Sequence, residues 1–164
     1  MQRKETTNPD EFADLSACPR AGRLIALDPG MKRVGVAVTD ETQTLARPLM
    51  LIERTSWKKL LLAAQSILSE FDAKALVIGL PLNFDGGESE MSAEARKLAR
   101  NFSLSLSIPV YLQDERATSY EAKGRLWDAG VNLKEARRLV DSEAAVIILT
   151  DFLDRLDQTQ NPDR

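Results

Sequence analysis

Residues 23–39 read RLIALDPGMKRVGVAVT, and this stretch decides the fold class. Its first half is a short apolar run that ends in an acid, Asp28, and its second half, Val34–Thr39, is alternating and rich in β-branched residues. The Pro29-Gly30 pair between the two halves is typical of a tight turn. The sequence therefore predicts a β-hairpin whose turn directly follows an acidic residue.

Outward from the hairpin, the chain continues with a third strand, a helix and a buried strand. Pro48–Arg54 predicts the third strand, and Ser56 is well placed to cap a helix. That helix carries an apolar stripe at helical spacing, formed by Leu60, Leu61, Ala64, Ile67, Leu68 and Phe71. The continuous apolar run Ala75–Leu80, stopped by Pro81, is typical of a strand buried on both faces of a sheet. We therefore expect a central parallel strand here.

The second half of the chain repeats the alternation of helix and strand. A polar glycine loop leads into a helix over about residues 89–105, and Pro109–Gln113 predicts a fifth strand. Thr118 and Glu121 form a capping box, which predicts a helix from there to Gly130. The last helix is the apolar stretch around Ala144, Ala145, Ile148, Leu149, Phe152 and Leu156. Three meandering strands followed by βα units predict an α/β fold, a mixed five-stranded sheet flanked by helices on both faces.

Length and composition indicate one globular domain. The chain has 164 residues, of which 43% are hydrophobic and 29% charged, the balance of an ordinary folded protein. Residues 1–21 and 157–164 are polar and lack a periodic apolar pattern, so we predict flexible tails around a domain at 22–156. No apolar run is long enough to span a bilayer, and the N-terminus lacks the apolar centre of a secretory signal. We therefore expect a cytoplasmic protein.

The composition also limits the chemistry. The chain has no histidine and one cysteine, Cys18, so imidazole catalysis, an intramolecular disulfide and a cysteine-based zinc site are excluded. Any metal must be held by oxygen ligands, which points to a hard cation such as Mg²⁺ or Mn²⁺. The formal net charge of −3 gives no overall attraction to nucleic acid, so only a local basic patch could supply one.

Three acids stand where a simple structural role explains them poorly. Asp28 ends the first strand, Glu115 follows the fifth strand, and Asp141 lies at or near the start of the last helix. Residues at the ends of strands in an open α/β sheet project into one crevice, where ligands bind. Neighbouring carboxylates repel each other unless a cation neutralises them. Taken together, the three acids indicate a metal site.

Each acid also has a purely structural interpretation. Asp28 could begin an Asp-Pro turn, and Glu115 could form a surface ion pair with Arg116 or Lys123. Asp141 could be only a favourable charge near a helix N-terminus. The sequence leaves these alternatives open for each residue taken alone.

Four motifs, in order along the chain, carry a family resemblance. They are Leu27–Ala37, Val77–Asn83 with Asp85-Gly86, Asp114–Ser119 with Glu121-Ala122, and Val140–Ala145 with Ile148-Leu149 and Phe152–Asp154. Over about residues 23–156 the chain resembles the YqgF family, ribonuclease H-like proteins described as Holliday junction resolvases or as precursor 16S ribosomal RNA nucleases. Met31, where the family usually has a small polar residue, and Ala117, where it often has leucine, depart from the family pattern at positions that are not candidate ligands.

The resemblance implies a ribonuclease H-like fold and a catalytic role for the three acids. Carried over by motif, Asp28, Glu115 and Asp141 would be the catalytic residues and the metal ligands for Mg²⁺ or Mn²⁺. Two such ions could activate a water for attack on a phosphodiester and stabilise the leaving oxygen. Asp114 is then either a neighbour that supports the site or a ligand in its own right.

Residues near the proposed site are candidates for contact with nucleic acid. Lys32 and Arg33 lie on the turn after the first acid, although a solvated hairpin tip is nearly as good an explanation. Arg116 comes directly after the second acid. Asn83 begins a glycine loop whose backbone could approach a phosphodiester strand, or which could be only a turn.

These features favour a metal-dependent endonuclease that acts on structured nucleic acid, with a precursor of 16S ribosomal RNA as the leading substrate and a Holliday junction as the alternative. Two other interpretations stay open, a nucleotide-binding protein related to actin and a non-catalytic adapter that keeps only the fold. Junction resolution usually requires a symmetric dimer, whereas trimming an RNA end needs one site. The sequence is therefore compatible with a monomer or a homodimer.

Overall fold

A computed structural model describes residues 13–115 and 133–160 and contains the mixed five-stranded sheet predicted from the sequence. The strands are β1 (Leu24–Pro29), β2 (Arg33–Thr39), β3 (Ala46–Glu53), β4 (Ala75–Leu80) and β5 (Val110–Asp114). They lie in the order β3-β2-β1-β4-β5. β1 pairs antiparallel with β2 and β2 with β3, while β1 pairs parallel with β4 and β4 with β5. The hairpin and the interior parallel strand are both confirmed.

The helices of the described part are α1 (Trp57–Glu70), α2 (Glu90–Ser105) and α3 (Leu133–Gln160). Ser56 caps α1 as predicted, because its side chain accepts a hydrogen bond from the backbone N–H of Lys59. α3 begins well before Asp141 and extends past the domain boundary predicted at residue 156, so both of those bounds are corrected. The helix predicted from Thr118 to Gly130 lies outside the described residues. Within 13–115 and 133–160, no helix is long and apolar enough to cross a membrane.

The helices cover both faces of the sheet, as the sequence predicts. α1 and α2 pack on one face, in a core that includes Ile25, Leu27, Val36, Val38, Leu76, Ile78, Val110 and Leu112. α3 packs on the other face, in a core that includes Leu24, Ala26, Ala37, Val77 and Tyr111. Side chains alternate between these two faces along each strand, which fixes the face that each strand residue occupies.

The N-terminal segment, residues 13–21, differs from the predicted flexible tail. It contains a short 3-10 helix, and Leu15 and Cys18 are buried in the core beneath α3. The hydroxyl of Tyr111 donates a hydrogen bond to the backbone carbonyl of Asp14 at 3.1 Å. These contacts join positions far apart in the sequence and leave no periodic pattern, which is why periodicity does not reveal them.

Polar contacts fasten the same segment to the rest of the protein. Arg20 forms an ion pair with Asp157 of α3. The side-chain amide of Gln43 donates hydrogen bonds to the backbone carbonyls of Pro19 at 2.9 Å and Gly22 at 3.0 Å. The packed part of the protein therefore begins before residue 22.

Candidate active site at one edge of the sheet

Neighbouring strands end together and bring two of the predicted acids side by side. β1, β4 and β5 run parallel, with Leu27 beside Ile78 and Leu80 beside Asp114. Their carboxyl ends form one edge of the sheet, which we call the carboxyl edge. Asp28 lies on β1 at this edge, and the chain continues from β5 directly into Glu115. The two carboxyl groups are close enough to share a hydrogen bond.

The pleat of the strands puts Glu115, rather than Asp114, on the same face as Asp28. Asp28 follows the residues of β1 that face α3. Asp114 follows Val110 and Leu112, which face α1 and α2. Glu115 comes one residue later and returns to the α3 face. Asp114 is therefore a charged neighbour of the pair on the other side of the strand.

Gly79, on the strand between β1 and β5, makes room for the Glu115 carboxyl group. A Cβ atom at Gly79 would lie 3.0 Å from Cδ and Oε2 of Glu115, and 2.5 Å from Cδ1 of Ile148 on α3. The contact with Ile148 is shorter than real Cβ atoms show and the contacts with Glu115 are tighter than most, so both side chains would have to shift to admit a Cβ atom. No role was predicted for Gly79, although a glycine inside an apolar strand signals a close approach by another group.

The environment of the Glu115 carboxyl group is unfavourable for a negative charge. The residue is 8% exposed, and its Oε2 is buried with no hydrogen-bond partner among the described residues. Burial in the first place, and then the charge and hydrogen bond of Asp28 and the charge of Asp114, raise the pKa of Glu115 far above its usual range. A nearby divalent cation would oppose this shift, because it favours the charged carboxylates. A buried oxygen without a partner, beside a second carboxyl group, is a donor set that fits a hard cation such as Mg²⁺.

Asp141 lies on α3, and its side chain is outside the part of the chain that the structure describes. It comes eight residues after the first residue of α3, Leu133, and so lies more than two turns inside the helix. The field of a helix N-terminus fades within the first turn, so the alternative role of Asp141 as a helix-end charge loses its basis. Among the described side chains, no group of three acids, cysteines or histidines could hold a metal ion. The described part of the site is therefore the pair of Asp28 and Glu115.

Lys32 lies in the turn after β1 and is exposed, and Arg33 follows it as the first residue of β2 and is half-buried. Arg54, which the sequence analysis missed, braces this turn. Its backbone N–H donates to the carbonyl of Lys32 at 2.9 Å, and its guanidinium donates to the carbonyl of Gly30 at 3.1 Å. Arg54 also forms an ion pair with Glu94 of α2. The turn beside the carboxyl edge is thus tied to a helix.

The loop of residues 81–89 continues the carboxyl edge after β4. Asn83, a predicted nucleic-acid contact, is exposed, and its side-chain amide donates a hydrogen bond to the carbonyl of Glu88 at 3.0 Å. That amide therefore shapes the loop. Phe84, the next residue, is 76% exposed. No role was predicted for Phe84, although an aromatic residue within a polar glycine loop is visible in the sequence. Arg116, another predicted contact, lies outside the described residues.

Several known proteins are similar to this chain in sequence or in fold. The chain is 40% identical over 148 residues to a Cereibacter sphaeroides protein named "Putative pre-16S rRNA nuclease", a match that covers 90% of this chain and 91% of the relative. It is 37% identical over 132 residues to an Anaeromyxobacter protein of the same name, covering 80% and 96%. Its fold is similar to that of Thermus thermophilus RuvC in complex with Holliday junction substrate, with a TM-score of 0.52, 19% identity and coverage of 82% and 96%. The last likeness shows a shared ribonuclease H-like fold.

A family model adds the decisive match. The model for RuvX, described as Holliday junction resolvase, matches residues 22–155. That range contains the four motifs of the sequence and both acids of the carboxyl edge. The chain therefore belongs to the RuvX family, the family of the YqgF proteins that its motifs resemble.

Proposed function

We propose that this protein is a metal-dependent endonuclease that hydrolyses phosphodiester bonds in structured nucleic acid, with a precursor of 16S ribosomal RNA as its substrate. The observation that carries the proposal is the buried carboxyl group of Glu115, which lies beside Asp28 and whose Oε2 has no hydrogen-bond partner in the described part of the chain. A buried carboxyl group beside the half-buried Asp28 destabilises the fold, and a cation-binding function explains such an arrangement. The names of the relatives at 40% and 37% identity supply the substrate.

Asp28, Glu115 and Asp141 would hold the cation, Mg²⁺ or Mn²⁺, and form the catalytic group. When bound, a cation of this kind activates water for attack on a phosphodiester and stabilises the leaving oxygen. The protein's own contribution is to fix the acceptor oxygens. Gly79 leaves space for the Glu115 carboxyl group, and parallel strands end at the same edge. The chain has no histidine, so carboxylates are its natural metal ligands.

The course of α3 supports Asp141 as the third ligand. Ile148 of α3 lies against Gly79, which itself lies against the Glu115 carboxyl group. Residue 141 precedes Ile148 by seven positions, about two helical turns, so the two positions share one face of the helix. α3 packs on the face of the sheet that carries Asp28. An acid on this stripe of α3 is in keeping with a site between the helix and the carboxyl edge.

Contacts to the substrate would come from the surroundings of the acids. Lys32, Arg33 and Arg116 would meet phosphates, and Asn83 would present its loop to the strand.

Trimming an RNA end needs one active site, so a monomer suffices, whereas a homodimer would offer two sites. We also propose a cytoplasmic location, since the relatives are named for a ribosomal RNA precursor.

The family description favours a second candidate substrate, the four-way DNA junction. The RuvC structure of similar fold holds such a junction. An RNA precursor and a junction both present phosphodiesters to the same type of site, so the fold alone does not choose between them.

Cleavage of the two substrates side by side tests the proposal. We expect the protein to cut a precursor 16S ribosomal RNA fragment in Mg²⁺ or Mn²⁺ and to leave it intact in EDTA. Glu115→Gln should abolish cleavage, whereas Glu53→Gln, a change at an exposed residue of β3, should not. Cleavage of a synthetic junction alone would make the second substrate the correct one.

Other outcomes would contradict the proposal. Cleavage that persists in EDTA would rule out the metal-dependent mechanism. A protein that cuts neither substrate and binds no Mg²⁺ or Mn²⁺ would be better explained as an adapter. Tight binding of ATP in calorimetry, without cleavage, would favour the nucleotide-binding interpretation.

A further inference from the structure

Phe84 is a large apolar side chain held in solvent at the carboxyl edge. It is 76% exposed and lies in the loop that follows β4. β4 is the strand between β1, which carries Asp28, and β5, which leads into Glu115. An exposed aromatic ring therefore lies on the same edge of the sheet as the candidate catalytic acids.

The loop keeps its shape without help from the ring of Phe84. The backbone N–H of Asn83 donates to the carbonyl of Gly87 at 2.9 Å, and the N–H of Gly86 donates to the carbonyl of Asn83 at 2.8 Å. Gly86 takes a φ of +84°, which favours glycine. At the two ends of the loop, the hydroxyl of Ser89 donates a hydrogen bond to the backbone carbonyl of Pro81 at 2.7 Å. A preformed loop thus presents the ring to solvent.

The surroundings of Phe84 suit a nucleic acid strand. Lys32 is exposed at the turn after β1, on the same edge, and can meet a phosphate. Met31, next to it, is 80% exposed and adds a second apolar side chain at this edge. Nucleobases stack on aromatic side chains whatever their sequence, because every base has a π-face. Bases inside a duplex are already stacked on their neighbours, so only an unpaired base offers this face.

We propose that Phe84 stacks on an unpaired base of the bound strand, so that the protein recognises its substrate where the strand is single. The inference rests on the proposed function and narrows its substrate class to nucleic acid with unpaired nucleotides beside the cleaved bond. It assigns binding to Phe84 and leaves the chemistry to the acids.

Measuring RNA binding under conditions that prevent cleavage tests the contact between Phe84 and a base. The probes are a fluorescein-labelled single-stranded RNA of 12 nucleotides and the blunt duplex of the same sequence, with anisotropy measured in EDTA and in Ca²⁺. Phe84→Ala should raise the Kd for the single strand by roughly 5- to 150-fold, the usual effect of losing one base–aromatic stack. Phe84→Tyr should bind the single strand like the parent, and Phe84→Leu should bind it almost as weakly as Phe84→Ala. Leu62→Ala, a change at an exposed apolar residue of α1, is the matched control and should bind like the parent.

A direct signal of stacking accompanies the affinities. A single 2-aminopurine in the RNA should be quenched by the parent and by Phe84→Tyr, but not by Phe84→Ala. The inference is wrong if Phe84→Ala binds the single strand as tightly as the parent, if it weakens duplex binding equally, or if Phe84→Leu restores full affinity. It is also wrong if the parent binds no single strand in either buffer.

The two proposals fail separately. If Phe84→Ala binds like the parent while Glu115→Gln abolishes cleavage, the nuclease function stands and the stacking role falls. If stacking depends on Phe84 but the parent cuts no nucleic acid, the protein binds single strands and the nuclease function falls.

Discussion

At the scale of single residues, Gly79 is the position where sheet packing meets the carboxylate pair. Gly79→Ala would bring a methyl group to 2.5 Å from Cδ1 of Ile148 and to 3.0 Å from the Glu115 carboxyl group. We expect the free energy of unfolding to fall by about 1–3 kcal/mol, as in other overpacked cores, and cleavage to be lost. Urea unfolding and a cleavage assay measure the two effects.

The double variant Gly79→Ala/Ile148→Val separates the two contacts, because valine has no Cδ1. It should regain part of the lost stability without regaining activity, since the contact with Glu115 remains. A Gly79→Ala protein with the stability and activity of the parent would show that the Glu115 carboxyl group does not need this space.

Glu115 should make the stability of the metal-free protein depend on pH. Because its folded pKa lies above the value of 4.5 for a free side chain, the folded state holds the proton more tightly than the unfolded chain. Stability therefore falls as the pH rises above that unfolded value. In EDTA, Glu115→Gln should melt at a higher temperature than the parent at about pH 8, and the difference should shrink toward about pH 5.

Glu53→Gln, which removes a charge at an exposed residue of β3, is the comparison variant. Added Mg²⁺ should raise the melting temperature of the parent more than that of Glu115→Gln, because a ligand stabilises the state that binds it. Parallel pH profiles for the parent and Glu115→Gln in EDTA would contradict the burial of an ionisable Glu115.

At the scale of the element, α3 carries the prediction for the third acid. Asp141→Asn removes one negative charge and keeps the shape of the side chain. In EDTA the variant should be as stable as the parent or more stable, because repulsion among the carboxylates is relieved. In Mg²⁺ the parent should gain stability while the variant gains little, and cleavage should collapse. Thermal unfolding with and without metal, together with cleavage, measures this.

Asp154→Asn is the matched control, because Asp154 is an exposed residue of the same helix. It should change neither the response to Mg²⁺ nor cleavage. An Asp141→Asn protein that is destabilised in EDTA and still cuts nucleic acid would remove Asp141 from the catalytic group.

The elements also show which structural features local sequence can predict. Strands β1, β2 and β4 follow from apolar runs and alternation, and the start of α1 follows from Ser56, because these signals lie within a few residues. The sequence predicts that α3 starts at or near Asp141, but the helix begins at Leu133. Charged residues such as Lys134 and Arg137 precede its apolar part, so the apolar pattern does not indicate the earlier start. The order of the strands depends on distant pairing and could not be predicted from local patterns.

The candidate site likewise has features that the sequence predicts and features that it does not. Asp28 and Glu115 could be predicted as neighbours because strand ends meet at one edge of an α/β sheet. The fit of Gly79 against Glu115, and the brace from Arg54 to the turn after β1, arise only when separate elements pack together. The face of the sheet that Asp114 occupies follows from the alternation of side chains along β5. It could be assigned only once the bounds of β5 were known.

At the scale of the whole molecule, the N-terminal segment makes the flexible-tail prediction testable. Leu15 is 7% exposed and packs in the core under α3. Leu15→Ala should lower the free energy of unfolding by about 2–3 kcal/mol, as for other buried leucines. Deletion of residues 1–20 should lower the melting temperature, because it removes Leu15 and Cys18 from this core. Equal melting of the parent and the 1–20 deletion would restore the tail interpretation.

The packing of Leu15 with Phe152 and Leu156 has a consequence for how the chain is made. A ribosome releases the segment around Leu15 long before the C-terminal half of α3, yet the two belong to one core. Until that helix emerges, the face of the sheet around Ala26 and Val77 lacks the cover that α3 provides. Contacts between positions so distant form slowly, and an uncovered apolar sheet attracts other chains. During synthesis this face is therefore open to contact with other chains until α3 has emerged.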